Sequence, residues 1–322
     1  MNIARICLAV ATFVLPFCAG TAQAQTTTRV LIGYPPGGPM DAVTRMIAEK
    51  LAETISRPFV VETRTGASGQ IAALALKAAA PDGNTLMVAP DSIMTLYPHT
   101  VKTPAYDTLN DFVPIAHLGS FDYGLAVGAS VPANDLREWV RWAKADKKNA
   151  VFGTPGAGAT AHFLGLMLAQ ATGVQLADVP YRGIAPATAD LLGGQVSAVI
   201  LPYALMLPHV KAGKIRILAH SGGRRASVAP EIPTFKELGY PTLEVSGWFG
   251  LFAPAGTRPE VVARYNEIVV QAMRTPVVRE RMRSLDLEVR EMAAAELATM
   301  LKTEYDLWRP VVKASGFSAD RQ

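Results

Sequence analysis

Cysteine is almost missing from this chain. Its 322 residues hold two, Cys7 and Cys18. Both fall in the first 24 residues, which read as a cleavable leader, so the remainder carries no thiol. That excludes cysteine catalysis, thiolate metal sites and a disulfide framework. Histidine is scarce as well. The five, at positions 99, 117, 162, 209 and 220, show no metal-ligand spacing. There is no Gly-x-Ser-x-Gly elbow and no His-Glu-x-x-His pair, which removes the recognisable hydrolase signatures. Past the leader no apolar run reaches the roughly 18 residues of a membrane span. Charge of one sign is not abundant either. Lys and Arg number 31 against 27 acids, and the leader takes only Arg5 with it, leaving 30 − 27 = +3. Such an excess suits an anionic ligand and falls far short of a nucleic-acid footprint. Fixed-period repeats and low-complexity tracts are also lacking.

The leader has three parts: Arg5, the apolar run Ile6 to Phe17 of 12 residues, and the small-x-small site Ala22-Gln23-Ala24. Cleavage is expected after Ala24. Cys18 follows Leu15-Pro16-Phe17, a poor lipid-attachment box. The expected product is a soluble exported protein of the Gram-negative periplasm, about 298 residues long, enough for two domains.

What the sequence does have is one phrase used three times. An apolar strand ends in a glycine-rich turn that opens into an amphipathic helix. Arg29 to Tyr34 leads through Pro35-Pro36-Gly37-Gly38-Pro39-Met40 to a helix from Asp41, with Asp41 as its N-cap. Phe59 to Thr63 leads through Arg64-Thr65-Gly66-Ala67-Ser68-Gly69 to a helix from Gln70. Ala150 to Gly153 leads through Thr154-Pro155-Gly156-Ala157-Gly158-Ala159 to a helix from Thr160 or Ala161. Each unit can aim free backbone amides and a helix dipole at one spot, which is how helix N-termini hold anions.

Between these units strands and helices alternate. A buried strand is expected at Thr85–Ala89, a short strand at 178–181 and further strands at 196–200 and 215–219, helices at 135–147 and 185–192, and a nearly all-helical tail from Pro259. The alternation predicts a mainly parallel α/β sheet with right-handed crossovers. A strand pair at 245–253 precedes the tail. Two chain crossings are expected, near Ser120–Tyr123 and Val245–Trp248. They divide the chain into one lobe of residues 25–122 and 248–322 and a second of 123–247. Ligands in open α/β sheets sit beyond the carboxyl ends of strands, and two lobes can turn those ends toward one cleft.

At these residues the chain resembles the substrate-binding proteins of tripartite tricarboxylate transporters, the Bordetella uptake gene family. The resemblance covers nearly all of the chain after the leader. It rests on Tyr34-Pro35-Pro36-Gly37-Gly38 with Asp41 and Arg45, Pro81-Asp82-Gly83, and Tyr106-Asp107 before Asp111-Phe112. It continues through Gly156-Ala157-Gly158 with His162, Val179-Pro180-Tyr181-Arg182-Gly183, Asp190 to Val196, Leu207 to Lys214, and Trp248-Phe249-Gly250 before Ala253-Pro254-Ala255-Gly256-Thr257. Pro39, Thr63-Arg64-Thr65, Arg182, Ser197 and Leu201 depart from the usual family residues. The resemblance implies a type II "Venus flytrap" that closes on a carboxylate-bearing metabolite and delivers it to a membrane permease, without catalysis, cofactor or metal, as a monomer.

The candidate ligand contacts follow. The first lobe offers Tyr34, Gly37, Gly38, Pro39, Met40, Asp41, Gly66, Ala67, Ser68, Gly69 and Ser92. Asp41 is the odd member, since its charge repels a carboxylate, and Pro39 withholds a donor. The second lobe offers Thr154, Gly158, Ala159, Thr160, His162, Tyr181, Arg182 and Pro202. Thr154, Thr160 and the Gly158 and Ala159 amides would hold a second carboxylate, and Arg182 could clamp one bidentately. Trp248 lines the cleft or fills a core. Leu201 and its neighbours point to a less polar mid-pocket without an acid to hold an ammonium group, hence a non-amino mono- or dicarboxylate. The rival reading uses Gly156-x-Gly158-x-x-Ala161, with Asp178 about 20 residues on, as a dinucleotide fingerprint. An exported protein is not expected to hold a nicotinamide cofactor.

Overall fold

The computed structural model describes residues 27–321. The leader lies outside them. Among these residues nine strands and eleven α-helices follow one another. They run β1 (Thr28–Ile32), α1 (Pro39–Ile55), β2 (Phe59–Thr63), α2 (Gln70–Lys77), β3 (Thr85–Pro90), α3 (Tyr97–Thr100), α4 (Thr108–Asp111), β4 (Phe112–Gly128), α5 (Leu136–Ala145), β5 (Val151–Thr154) and α6 (Thr160–Thr172). Then come β6 (Ala177–Pro180), α7 (Ile184–Leu192), β7 (Ala198–Pro202), α8 (Leu207–Lys211), β8 (Ile215–His220), β9 (Ser246–Pro254), α9 (Pro259–Arg274), α10 (Pro276–Ser284) and α11 (Ala294–Ser315).

The strand order is β2-β1-β3-β9-β4-β7-β5-β6, with β8 on β4. β1, β2 and β3 are parallel, as are β5, β6 and β7. β4 and β9 run against their neighbours. The sheet is therefore mixed rather than mainly parallel, because one long strand carries the chain out and another brings it back. The stretch 245–253, expected as a strand pair, is the single strand β9.

Strand alternation sorts the core, since successive side chains face opposite ways. In the first half Val30, Ile32, Leu86 and Val88 pack with α1 and α9, while Leu31, Met87, Ala89 and Phe252 pack with α2 and α11. In the second half Tyr123, Leu125, Phe152 and Ile200 pack with α5 and α6, while Ala126, Val199, Leu201 and Tyr203 form the other face with α7. Leu201 is thus a core residue at 0% exposure, not part of a pocket.

β4 joins the halves. Asp122 pairs with Ser246 of β9, and the next residue, Tyr123, pairs with Pro202 of β7. β8 and β9 lie end to end along one edge of β4: the Ser221 amide donates to Tyr123 O, and the Val245 amide donates to Ser221 O. On the opposite edge Ser120 bridges to Glu288. The result is the two-lobed form that the resemblance implies.

α1 begins at Pro39, earlier than expected. Proline at the first helical position has its φ preset, so Gly38 becomes the N-cap and Asp41 falls in the first turn. The N-cap role expected for Asp41 is corrected accordingly.

α6 carries a glycine in its interior for packing. A Cβ at Gly165 would lie 2.0 Å from Cε2 of Phe152, which is fully buried. Gly165→Ala should therefore destabilise the protein by about 1–3 kcal/mol, despite alanine's better helix propensity. Urea unfolding of the two proteins reads this directly; an equal or higher midpoint for the variant would refute the packing account.

Candidate functional site

The first two glycine turns meet backbone to backbone. A Cβ at Gly33 would lie 2.6 Å from Gly69 Cα. Tyr34 ties them, since its hydroxyl donates to Ser68 O at 3.0 Å and its ring covers Gly69. Burial pushes the Tyr34 phenol up to about 12, with the nearby Asp91 charge adding to the effect and the Ser92 side chain opposing it. Tyr34, Ser68, Gly69 and Ser92 are thus brought together.

The second turn is strained. Gly66, Ala67, Ser68 and Gly69 all have positive φ, at 131°, 46°, 54° and 96°. The Gly69 amide closes the turn on Gly66 O at 2.9 Å. Two non-glycine residues in the left-handed region cost about 1–2 kcal/mol each. Strain of this kind collects at ligand clamps and is held there by the surrounding structure.

In the first turn the Gly37 amide donates to Asp41 Oδ2 at 3.1 Å, and Arg45 holds Oδ1 at 2.9 Å. Burial raises the Asp41 pKa, but Arg45 and the Gly37 amide more than reverse this and keep the carboxylate ionised at lower pH. Asp41 braces its own turn. Gly38, Pro39 and Met40 complete it, and the first-turn amides of Met40 and Asp41 have no acceptor inside the helix.

β3 ends at Pro90 and delivers Asp91, which is 2% exposed. Its Oδ2 accepts from Thr160 Oγ1 at 2.6 Å, and its Oδ1 accepts from the Trp248 amide at 3.3 Å. One carboxylate therefore joins the end of β3, the start of α6 and β9. Behind it the Trp248 indole donates to Glu304 Oε2 at 2.7 Å. Trp248 itself is 1% exposed and packs in the core. Burial pushes Asp91 up to about 6 and Glu304 up to about 8, the second helped by the Asp91 charge.

The third turn is engaged in its own bonds. The Gly158 amide donates to His162 Nδ1 at 3.1 Å, the Ala159 amide to Gly156 O at 3.4 Å, and Thr154 Oγ1 to Gly156 O at 3.4 Å. His162 Nε2 lies 3.5 Å from Asp178 Oδ2. Phe317, past the end of α11, stacks edge-on against His162 with centroids 4.9 Å apart, and a Cβ at Gly158 would meet its ring at 3.2 Å. The turn is part of a packed seam.

Tyr181 and Arg182 are not brought to Asp91 by any described hydrogen bond. The Tyr181 hydroxyl donates to Asp190 Oδ2 at 2.7 Å. Arg182 is exposed and makes no ion pair among the described residues. Pro202 ends β7, half-buried. No group of three or more His, Cys, Asp or Glu that could hold a metal occurs among the described residues, and none of their helices is long and apolar enough to cross a membrane.

The sequence reading missed Asp91, Glu304 and Phe317. A signal for Asp91 was present: an acid directly after the wholly buried strand Thr85–Pro90, at the carboxyl end where ligands sit.

The profile described as tripartite tricarboxylate transporter family receptor matches residues 43–317. A protein of Cupriavidus necator, "UPF0065 protein in gbd 5'region", is 35% identical over 302 residues, 92% of this chain and 91% of that protein. MatC of Rhodopseudomonas palustris, solved with bound malate, superposes with TM-score 0.80 at 31% identity over 89% of this chain and 98% of its own. An R. palustris protein solved with adipate, Rpa4515, gives TM-score 0.83 at 28% identity over 91% and 98%.

The buried acids make stability depend on pH. Glu304 has a raised pKa in the fold, so its contribution is full only below the ordinary carboxylate value of 4.5 and is lost as pH rises from there to about 8. The thermal midpoint should fall between pH 6.5 and 8.5, and Glu304→Gln should flatten that fall. Scanning calorimetry across the range decides it; equal slopes for both proteins would sink the assignment.

Proposed function

The chain belongs to the tripartite tricarboxylate transporter receptor family, and on that basis we propose that it is a periplasmic solute-binding protein that captures a small organic carboxylate between two lobes. The observation that carries the reading is the junction of the first two glycine turns. The strained run Gly66–Gly69 is locked to the Gly33–Gly38 turn by Tyr34, which leaves helix-start amides at the carboxyl ends of β1 and β2. Such amides favour an anion through partial charge and direct hydrogen bonds. Each charge-assisted bond contributes about 1.5–3 kcal/mol.

The lobes are residues 25–122 with 248–322, and residues 123–247. Closure about the β4 and β9 crossings is the output, because a permease must tell loaded from empty protein. The protein acts as a monomer without catalysis, cofactor or nucleic acid, after export and removal of residues 1–24. Malate and adipate, the solutes held by the two R. palustris relatives, mark the size of solute to expect. The dinucleotide alternative has less support, since Asp178 is engaged with His162 and the Gly158 amide is spent on the same ring.

A thermal-shift panel of mono-, di- and tricarboxylates, nucleotides and neutral sugars tests this. One site stabilises by RT ln(1 + [L]/Kd), about 2.7 kcal/mol at 100 times Kd. At least one carboxylate should raise the midpoint. A response confined to sugars or dinucleotides would defeat the proposal.

A further inference from the structure

A solute with a carboxylate at each end needs donors on both sides of the cleft. The first side has them. The second side has spent those the sequence offered at the third turn; Arg182 stays exposed without an ion pair among the described residues and makes no described bond to that turn. Thr160 Oγ1 donates to Asp91, the Gly158 amide to His162, the Ala159 amide and Thr154 Oγ1 to Gly156 O, and the Tyr181 hydroxyl to Asp190. What the second side meets at α6 is a carboxylate of the protein itself. Asp91 is 2% exposed, and both its oxygens are bonded. No described ion pair involves it. Its neighbours are the Tyr34 and Tyr123 phenols and Glu304, none of which carries a positive charge. A second solute carboxylate brought to the start of α6 would face an uncompensated like charge in a site screened from water, where repulsion is strongest.

We propose that Asp91 is a specificity-determining residue: it takes the position at Thr160 that a second solute carboxylate would need, so this receptor selects solutes with one carboxylate, held by the turns of the first lobe. The inference rests on the carboxylate-receptor reading above and narrows it. It also replaces the argument from Leu201, which lies in the core. The end of the solute facing α6 is uncharged or cationic. In this respect the chain departs from its malate- and adipate-holding relatives.

The test uses pairs matched in carbon number: hexanoate against adipate, and 2-hydroxybutanoate against malate. Each is titrated by calorimetry at pH 7.5 into the wild type, Asp91→Asn and Asp91→Ser. Asparagine keeps the shape and an acceptor for Thr160 or Trp248; serine guards against a folding defect peculiar to asparagine, and circular dichroism checks both. The wild type should bind the monocarboxylate of a pair at least tenfold more tightly than the dicarboxylate. The neutral variants should reduce that ratio to threefold or less by gaining dicarboxylate affinity. A wild type that prefers malate or adipate overturns the proposal while leaving the receptor reading intact. So does a preference for monocarboxylates that survives unchanged in both variants. If neither pair binds at all, the proposal falls, and the broader panel then shows whether the carboxylate reading falls with it.

Discussion

The fold depends on a single 17-residue strand, β4, being shared by two sheets. A strand has two edges, and this one uses both twice. β9 and then β8 occupy one edge; the bridge at Ser120–Glu288 and then β7 occupy the other. The halves therefore extend from β4 in opposite directions and cannot be separated without breaking the same ladder. The side chains obey the arrangement. Tyr123 and Leu125 turn to the face covered by α5 and α6, while Gly124 lets Tyr203 approach where a Cβ would meet its Cβ at 2.8 Å.

Where the halves touch, the contact is polar at its centre and aromatic at its side. Asp91 is buried without a cation, and an isolated buried charge is costly. Two hydrogen bonds and the raised pKa reduce that cost, and the bonds come from elements far apart in sequence. Thr160 is 69 residues away and Trp248 is 157. Beside them Leu96, Phe163, Trp308 and Val312 form a small apolar cluster drawn from both halves.

That separation in sequence decides what could be read from the chain alone. Units of strand, turn and helix are local, and their signals were plain: glycine turns before Gln70 and Thr160, helical spacing at Val43, Ile47 and Leu51, Gly193 after Leu192. The first helix slipped by two residues because the fixed φ of Pro39 outweighed the capping preference of Asp41. Leu201 was misjudged although strand alternation sets it beside Val199, opposite Ala198 and Ile200. The stretch from Asp91 to Asp111 gave little, since it is broken into short helical pieces around Pro98 and Pro104. The Asp91–Thr160 bond and the seat of Phe317 are tertiary facts. Nothing in the local pattern pairs those residues, and without them the third turn looks like a free anion site.

The seam also carries its own optical gauge. Trp308, 3% exposed, lies within 6.1 Å of Phe163, and Phe163 lies 5.6 Å from Phe317. Trp308 and Phe317 belong to the C-terminal helix and its tail, while Phe163 sits on α6 of the other half. Parting the halves draws the Trp308 indole from an apolar wall into water, whereas Trp139 and Trp248, buried inside their own halves, keep their surroundings. The red shift of one tryptophan's emission therefore reports the gap between the lobes with no attached dye.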